Sequence, residues 1–145
     1  MDKSTECLPR HASRRILVVD DHPQICELIR LTLAPLQAEL LEAATADSGL
    51  ALACAKRPHV IILDVQLPGA LNGFDVCRRI KTDPELAQSK VIIVTTQSQG
   101  SALLASEASR ADVFLTKPFS PRAWLDTVQE FFRAAVPGEI RRHIS

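Results

Sequence analysis

Apolar and polar positions alternate between two patterns along most of the chain. Residues 16–19 (ILVV) form a short β-branched run that ends in Asp20-Asp21. Ile25, Ile29, Thr32 and Leu33 then recur at helical spacing, and Pro35 stops that helix. Residues 39–43 (ELLEA) predict a second strand. Thr45 is placed to cap a helix over 46–56, with Asp47 and Ser48 in its first turn and Pro58 closing the segment. Residues 60–63 (VIIL) predict a third strand, followed at once by Asp64. Pro68, Gly69, Asn72 and Gly73 make a loop, and a helix follows over about 74–81, broken before Pro84. Residues 91–94 (VIIV) predict a fourth strand, followed by Thr95-Thr96. A Ser- and Ala-rich stretch, 98–109, reads as a helix, and residues 113–115 as a short fifth strand before Lys117-Pro118. Ser120-Pro121 opens a last helix, with the cap residue followed by Pro at the first helical position. Its Trp124, Leu125, Val128, Phe131, Phe132 and Ala135 make a broad apolar face, and Pro137-Gly138 ends it.

The chain therefore reads as five strands alternating with five helices. The first, third and fourth strands are continuous apolar runs, as expected of parallel strands covered on both faces. Right-handed crossovers then place helices on both sides of one parallel sheet, an α/β doubly wound fold. The 145 residues suit one domain, expected over 14–136, with a loose segment at 1–13 and a short tail at 137–145. Lys+Arg and Asp+Glu both number 17, a formal net charge of zero. That balance argues against a sequence-independent nucleic-acid binder and against a polybasic membrane anchor. Residues 1–13 lack the apolar run of a signal peptide, and no stretch approaches the ~20 residues of a membrane span. The expectation is a cytoplasmic protein. Cys7, Cys26, Cys54 and Cys77 show no metal-ligand spacing, and the expectation is that all four are reduced fillers of core or helix.

In an open parallel sheet, ligands bind at the carboxyl ends of the strands. Asp20 and Asp21 end the first strand, Asp64 the third and Thr95 the fourth, and Lys117 follows the fifth. Residues far apart in sequence thus converge on one edge. Three carboxylates in one small site repel one another and call for a cation. Oxygen donors without His or Cys suit Mg²⁺ or Mn²⁺, which keep water positions that phosphate oxygens can take. Lys117 adds a positive charge and Thr95 a hydroxyl donor. An ionised Asp is itself a nucleophile toward phosphorus, so the edge reads as a phosphoryl site.

At these residues the sequence resembles the receiver domain of bacterial two-component response regulators, of the single-domain chemotaxis type. The stretches that carry the resemblance are ILVVDDHP (16–23), VIILDVQLPG (60–69), NGFDVCRRIK (72–81), VIIVTT (91–96) and ADVFLTKPF (111–119). The resemblance implies a flavodoxin-like three-layer sandwich with strand order 2-1-3-4-5. It implies Asp64 as phospho-acceptor, and Asp20 and Asp21 as the acidic pair holding Mg²⁺, with Asp21 the direct ligand. The Gln66 carbonyl would complete the protein's share of the coordination. Thr95 would be the switch hydroxyl, Phe114 the switch aromatic, and Lys117 the contact to a phosphoryl oxygen, beside a cis bond to Pro118. It further implies a sensor histidine kinase or histidine phosphotransfer protein as donor, and a downstream protein target. Output would pass through the face made by the 98–109 helix, the fifth strand and the last helix, which could also pair two copies. Such a module is not an enzyme beyond its own phosphorylation and dephosphorylation.

Some positions depart from the family pattern. The loop PGALNG (68–73) is one residue longer than usual, and Asn72 stands where Asp is common. Thr96 follows the switch threonine where Ala or Gly is usual, and Arg110 stands where Gly is common. Gln66 and Gln97 flank the site. His22 reads as a loop residue at a helix start, His11, His59 and His143 show no ligand spacing, the paired arginines read as solvated faces and Trp124 as core. The acidic edge also bears on two other functions. A phosphatase of the haloacid dehalogenase type would need a DxD after the first strand, where this chain has adjacent Asp20-Asp21. A receiver-like scaffold that binds without phosphorylation would commonly lack the acceptor, an acid or the lysine.

Overall fold

The computed structural model describes residues 14–96, 110–117 and 120–134. Its strands are β1 (Arg15–Val19), β2 (Glu39–Ala43), β3 (Val60–Asp64), β4 (Lys90–Thr96) and β5 (Val113–Lys117). Its helices are α1 (Pro23–Leu33), α2 (Ala46–Lys56), α3 (Gly73–Thr82) and α4 (Pro121–Ala134). All strand pairs are parallel, in the order β2-β1-β3-β4-β5, the flavodoxin-like arrangement. The helix predicted over 98–109, the Lys117-Pro118 bond and the two terminal segments lie outside the described residues.

The period-two alternation of a strand explains the two cores. Leu17, Val19, Ile61, Leu63, Val91 and Ile93 point to one face, where Ala46 and Ala53 of α2 and Val76, Cys77 and Ile80 of α3 cover them. Ile16, Val18, Val60, Ile62, Ile92 and Val94 point to the other, under Cys26, Ile29 and Leu33 of α1 and Trp124, Val128 and Phe132 of α4. Each fully buried aliphatic side chain contributes about 1.5–3 kcal/mol, so the sheet anchors the fold from both sides. Trp124 is core, as its place in the apolar stripe suggested.

Local signals set most helix ends. Thr45 caps α2 in a reciprocal capping box with Ser48. Asn72 and Asp75 do the same for α3. α1 stops at Leu33, and Pro35 sits in a following 3-10 turn (Ala34–Leu36). Arg110 takes φ 66°, the left-handed conformation for which glycine is the favoured residue.

The sheet's amino edge, away from the acids, is tied by polar contacts. Lys81 Nζ lies 2.8 Å from Asp112 Oδ2 and donates to Ser89 O at 2.8 Å, while Asp112 Oδ2 accepts from Val91 N at 2.8 Å. On β1, Arg15 N donates to His59 Nδ1 at 3.1 Å. Burial lowers the His59 pKa from its ordinary 6.5, and the Arg14 and Arg15 charges lower it further. The unfolded chain therefore binds a proton at His59 more readily than the folded one. Stability from this group is present above pH ~6.5 and is lost as pH falls through the folded value. His22 titrates with the opposite sign, so the informative quantity is a difference between proteins. Urea melts from pH 7.5 to 5.5 should show a steeper acid-side loss in wild type than in His59→Asn. Parallel pH profiles would contradict this account.

Candidate functional site

The acids lie where strand chemistry gives way to loop. β1 ends at Val19, and Asp20 N donates to Ala43 O at 3.0 Å, which holds Asp20 against the end of β2. Asp64 is the last residue of β3, and the next residue still joins the ladder through Val65 N to Val94 O at 3.0 Å. Both carboxylates are nearly inaccessible, at 6% for Asp20 and 4% for Asp64. Asp21 and His22 are exposed, so the site opens outward between them.

His22 draws this edge together. Its backbone N and its ring Nδ1 each lie 2.9 Å from Asp20 Oδ1. Nδ1 is also 3.1 Å from Asp21 Oδ1 and 3.9 Å from Asp64 Oδ2. The hydrogen bond to Asp20 raises the His22 pKa above 6.5, with the Asp21 and Asp20 charges acting the same way. One ligand atom from each of Asp20, Asp21, His22 and Asp64 lies within 4.8 Å of all the others. Two carboxylates that close repel by about 3 kcal/mol at an effective dielectric near 20. A divalent cation relieves that repulsion, and three carboxylates are the donors a hard cation takes. The residues fit a divalent metal. Cys26 Sγ is near, 3.6 Å from Asp20 O, but burial pushes its thiol up to about 11, so it offers no thiolate.

The remaining predicted residues fall around this cluster. Thr95 is buried on β4, one residue beyond Val94, the register partner of Asp64. Gln66 is exposed, and its N donates to Asp64 Oδ1 at 3.3 Å. Lys117 is the last residue of β5, in register with Thr96; their side chains lie outside the description. Phe114 is half-buried against the α2–α3 core and stacks on Phe74, ring centroids 5.9 Å apart. Phe114 therefore rests on α3, the helix that buttresses Asp64.

Two residues have roles at this edge that sequence reading missed. His22 stands at the start of α1, as expected, but its ring turns onto the acids, so the cluster is not the purely oxygen donor set that the sequence suggests. The sequence pattern assigns Gly73 to the loop, whereas it is the first residue of α3, directly beneath Asp64. Its N donates to Val65 O at 2.9 Å, and a Cβ there would stand 2.3 Å from Asp64 O. No short-range pattern marks either one, although His22 does directly follow the acid pair.

Residues 16–129 match the family described as response regulator receiver domain. The chain belongs to that family. This receiver is 34% identical over 119 residues to the DNA-binding dual master transcriptional regulator RpaA of Synechocystis, covering 82% of this chain and 49% of RpaA. It is 38% identical over 117 residues to protein PilH of Pseudomonas aeruginosa, covering 79% of this chain and 93% of that protein. A putative response regulator from Chloroflexus aurantiacus superposes with a TM-score of 0.76 at 28% identity, over 82% of this chain and 97% of that one. The chain thus spans about half of RpaA and nearly all of PilH. Receivers are signalling modules of two-component systems, and this one carries an acid and histidine cluster of the kind that accompanies aspartyl phosphorylation. Among the described residues, no helix is long and apolar enough to cross a membrane.

Proposed function

We propose that the receiver unit, residues 14–136, takes a phosphoryl group onto Asp64 from a phosphohistidine on a sensor kinase or phosphotransfer protein. The observation that carries this reading is the pair of buried carboxylates, Asp20 and Asp64, gathered with Asp21 at the carboxyl edge of the sheet. Asp20, Asp21, Asp64 and the Gln66 carbonyl would hold Mg²⁺, with Mn²⁺ an alternative of the same geometry. When bound, the ion neutralises charge on the phosphoryl oxygens. An Asp64 carboxylate oxygen attacks phosphorus, the P–N bond breaks, and its electron pair stays on the donor imidazole. Burial of Asp64 excludes water from the acceptor's flanks. Lys117 pairs with a phosphoryl oxygen, and the Thr95 hydroxyl donates to another. The added charge of about −1.5 to −2 draws Thr95 and Lys117 toward the phosphoryl group. Phe114 turns further into the space beside Thr95, and the face around β5 and α4 changes for a downstream protein or a second copy.

The test is intact mass after incubation with acetyl phosphate, with Mg²⁺ and with chelator. One phosphoryl adduct that forms with Mg²⁺ and is absent with chelator is the expected result. No adduct on the folded protein under either condition would favour a scaffold that binds without phosphorylation.

A further inference from the structure

His22 is the cluster's only nitrogen donor, and the backbone delivers it there. It stands immediately before α1 with an extended backbone (φ −105°, ψ 108°), and Pro23 opens the helix. Its own N–H is anchored on Asp20 Oδ1 at 2.9 Å. These constraints start the side chain beside the acids, and its ring completes the approach. The ring is 54% exposed, so it can pivot without disturbing the core.

The ring is hydrogen-bonded to Asp20 as it stands, and its spacings also match those of ligands around one ion. Two donor atoms bound at about 2.1 Å stand about 3.0 Å apart as neighbours in an octahedron and about 4.2 Å apart as opposites. Nδ1 lies 2.9 Å from Asp20 Oδ1 and 3.1 Å from Asp21 Oδ1, which are two neighbour spacings. Its 3.9 Å to Asp64 Oδ2 approaches the opposite spacing. An ion among these atoms would have three carboxylate oxygens and one imidazole nitrogen to draw on, all within 4.8 Å of one another.

We propose that His22 supplies an imidazole nitrogen to the cation site and sets its metal preference, favouring Co²⁺, Ni²⁺ or Zn²⁺ over Mg²⁺. This rests on the reading of the acids as a cation site. Imidazole suits the later transition ions, whereas Mg²⁺ prefers oxygen and retains water. Mg²⁺ gains little from His22 and binds through the carboxylates with the ring swung aside. A transition ion gains a fourth protein ligand.

The test uses Co²⁺ and Mg²⁺ as separate probes on wild type, His22→Ala, His22→Gln and Asp21→Ala. Co²⁺ binding is read by visible absorption and reversed with excess Mg²⁺ to confine it to this site. Mg²⁺ binding is read by calorimetry. Both His22 variants should lose Co²⁺ affinity by ~10-fold or more while Mg²⁺ affinity stays within about 3-fold. Asp21→Ala should lose both ions. Unchanged Co²⁺ affinity in the His22 variants, or equal losses for both ions, would overturn the role of His22 and leave the cation site standing. Failure of wild type to bind either ion, or full binding by Asp21→Ala, would overturn the cation site and this proposal together.

Discussion

Asp64→Asn should take no phosphoryl group, and in the absence of metal it should unfold at a higher temperature than wild type. The two effects have one origin. Asp64 is 4% exposed, and its carboxylate shares a 4.8 Å cluster with those of Asp20 and Asp21. Asparagine keeps the shape and keeps an oxygen to accept from Gln66 N, now at 3.3 Å from Asp64 Oδ1. It removes one of three like charges, which should stabilise the metal-free fold by about 1–2 kcal/mol. It also removes the carboxylate proposed as nucleophile. An amide does not attack phosphorus, so the rate should fall at least ~10³-fold, below detection by intact mass. The gain in stability separates lost chemistry from a damaged fold. A phosphoryl adduct on Asp64→Asn at the wild-type extent would move the acceptor to Asp20 or Asp21.

Features with local causes could be read from the sequence. α2 was expected over 46–56 behind a Thr45 cap, and it lies there, because the Thr45–Ser48 box is complete within four residues. The acids could be placed because a strand end is a position along the chain, and a parallel sheet brings such ends to one edge. Strand lengths were less legible. β3 runs through Asp64, β4 spans Lys90–Thr96 and β5 continues to Lys117, all beyond their apolar runs. A strand ends where its neighbour stops pairing, and the pairs Asp64 with Val94 and Thr96 with Lys117 extend the ladder into polar sequence. Arg110 shows the same limit, since a left-handed turn can be held without glycine when the next strand fixes its exit. His22 and Gly73 were missed for a related reason. Gly73 acquires its role from Asp64, nine positions away, and His22 from a ring orientation that turns it onto the acids beside it, and no periodicity encodes either.

Gly73→Ala should destabilise the protein by ~3 kcal/mol or more and lower its melting midpoint by about 10 °C. Conformation is not the reason, because Gly73 is not among the residues with positive φ. At an ordinary helical position alanine would stabilise by about 1 kcal/mol. Space decides the sign instead. A Cβ at Gly73 would lie 2.3 Å from Asp64 O, 2.9 Å from Asp64 C and 2.9 Å from Val65 Cα. Carbon atoms ordinarily approach to about 3.5–4.0 Å, and every atom in the way belongs to backbone, so no rotamer change relieves the clash. Either α3 lifts away, straining the Asn72–Asp75 cap and the bond from Gly73 N to Val65 O, or the end of β3 moves. Both displace Asp64 relative to Asp20. Phosphorylation should therefore drop even at temperatures where circular dichroism shows the variant folded. Gly69→Ala is the matched comparison. Gly69 has φ 96° but nothing within 4 Å of its missing Cβ, so alanine there should cost about 1–2 kcal/mol and leave the acceptor in place. A Gly73→Ala protein with the wild-type midpoint would mean that α3 does not press on the acceptor strand. One destabilised like Gly69→Ala, with its phosphorylation rate intact, would mean that it presses without positioning Asp64.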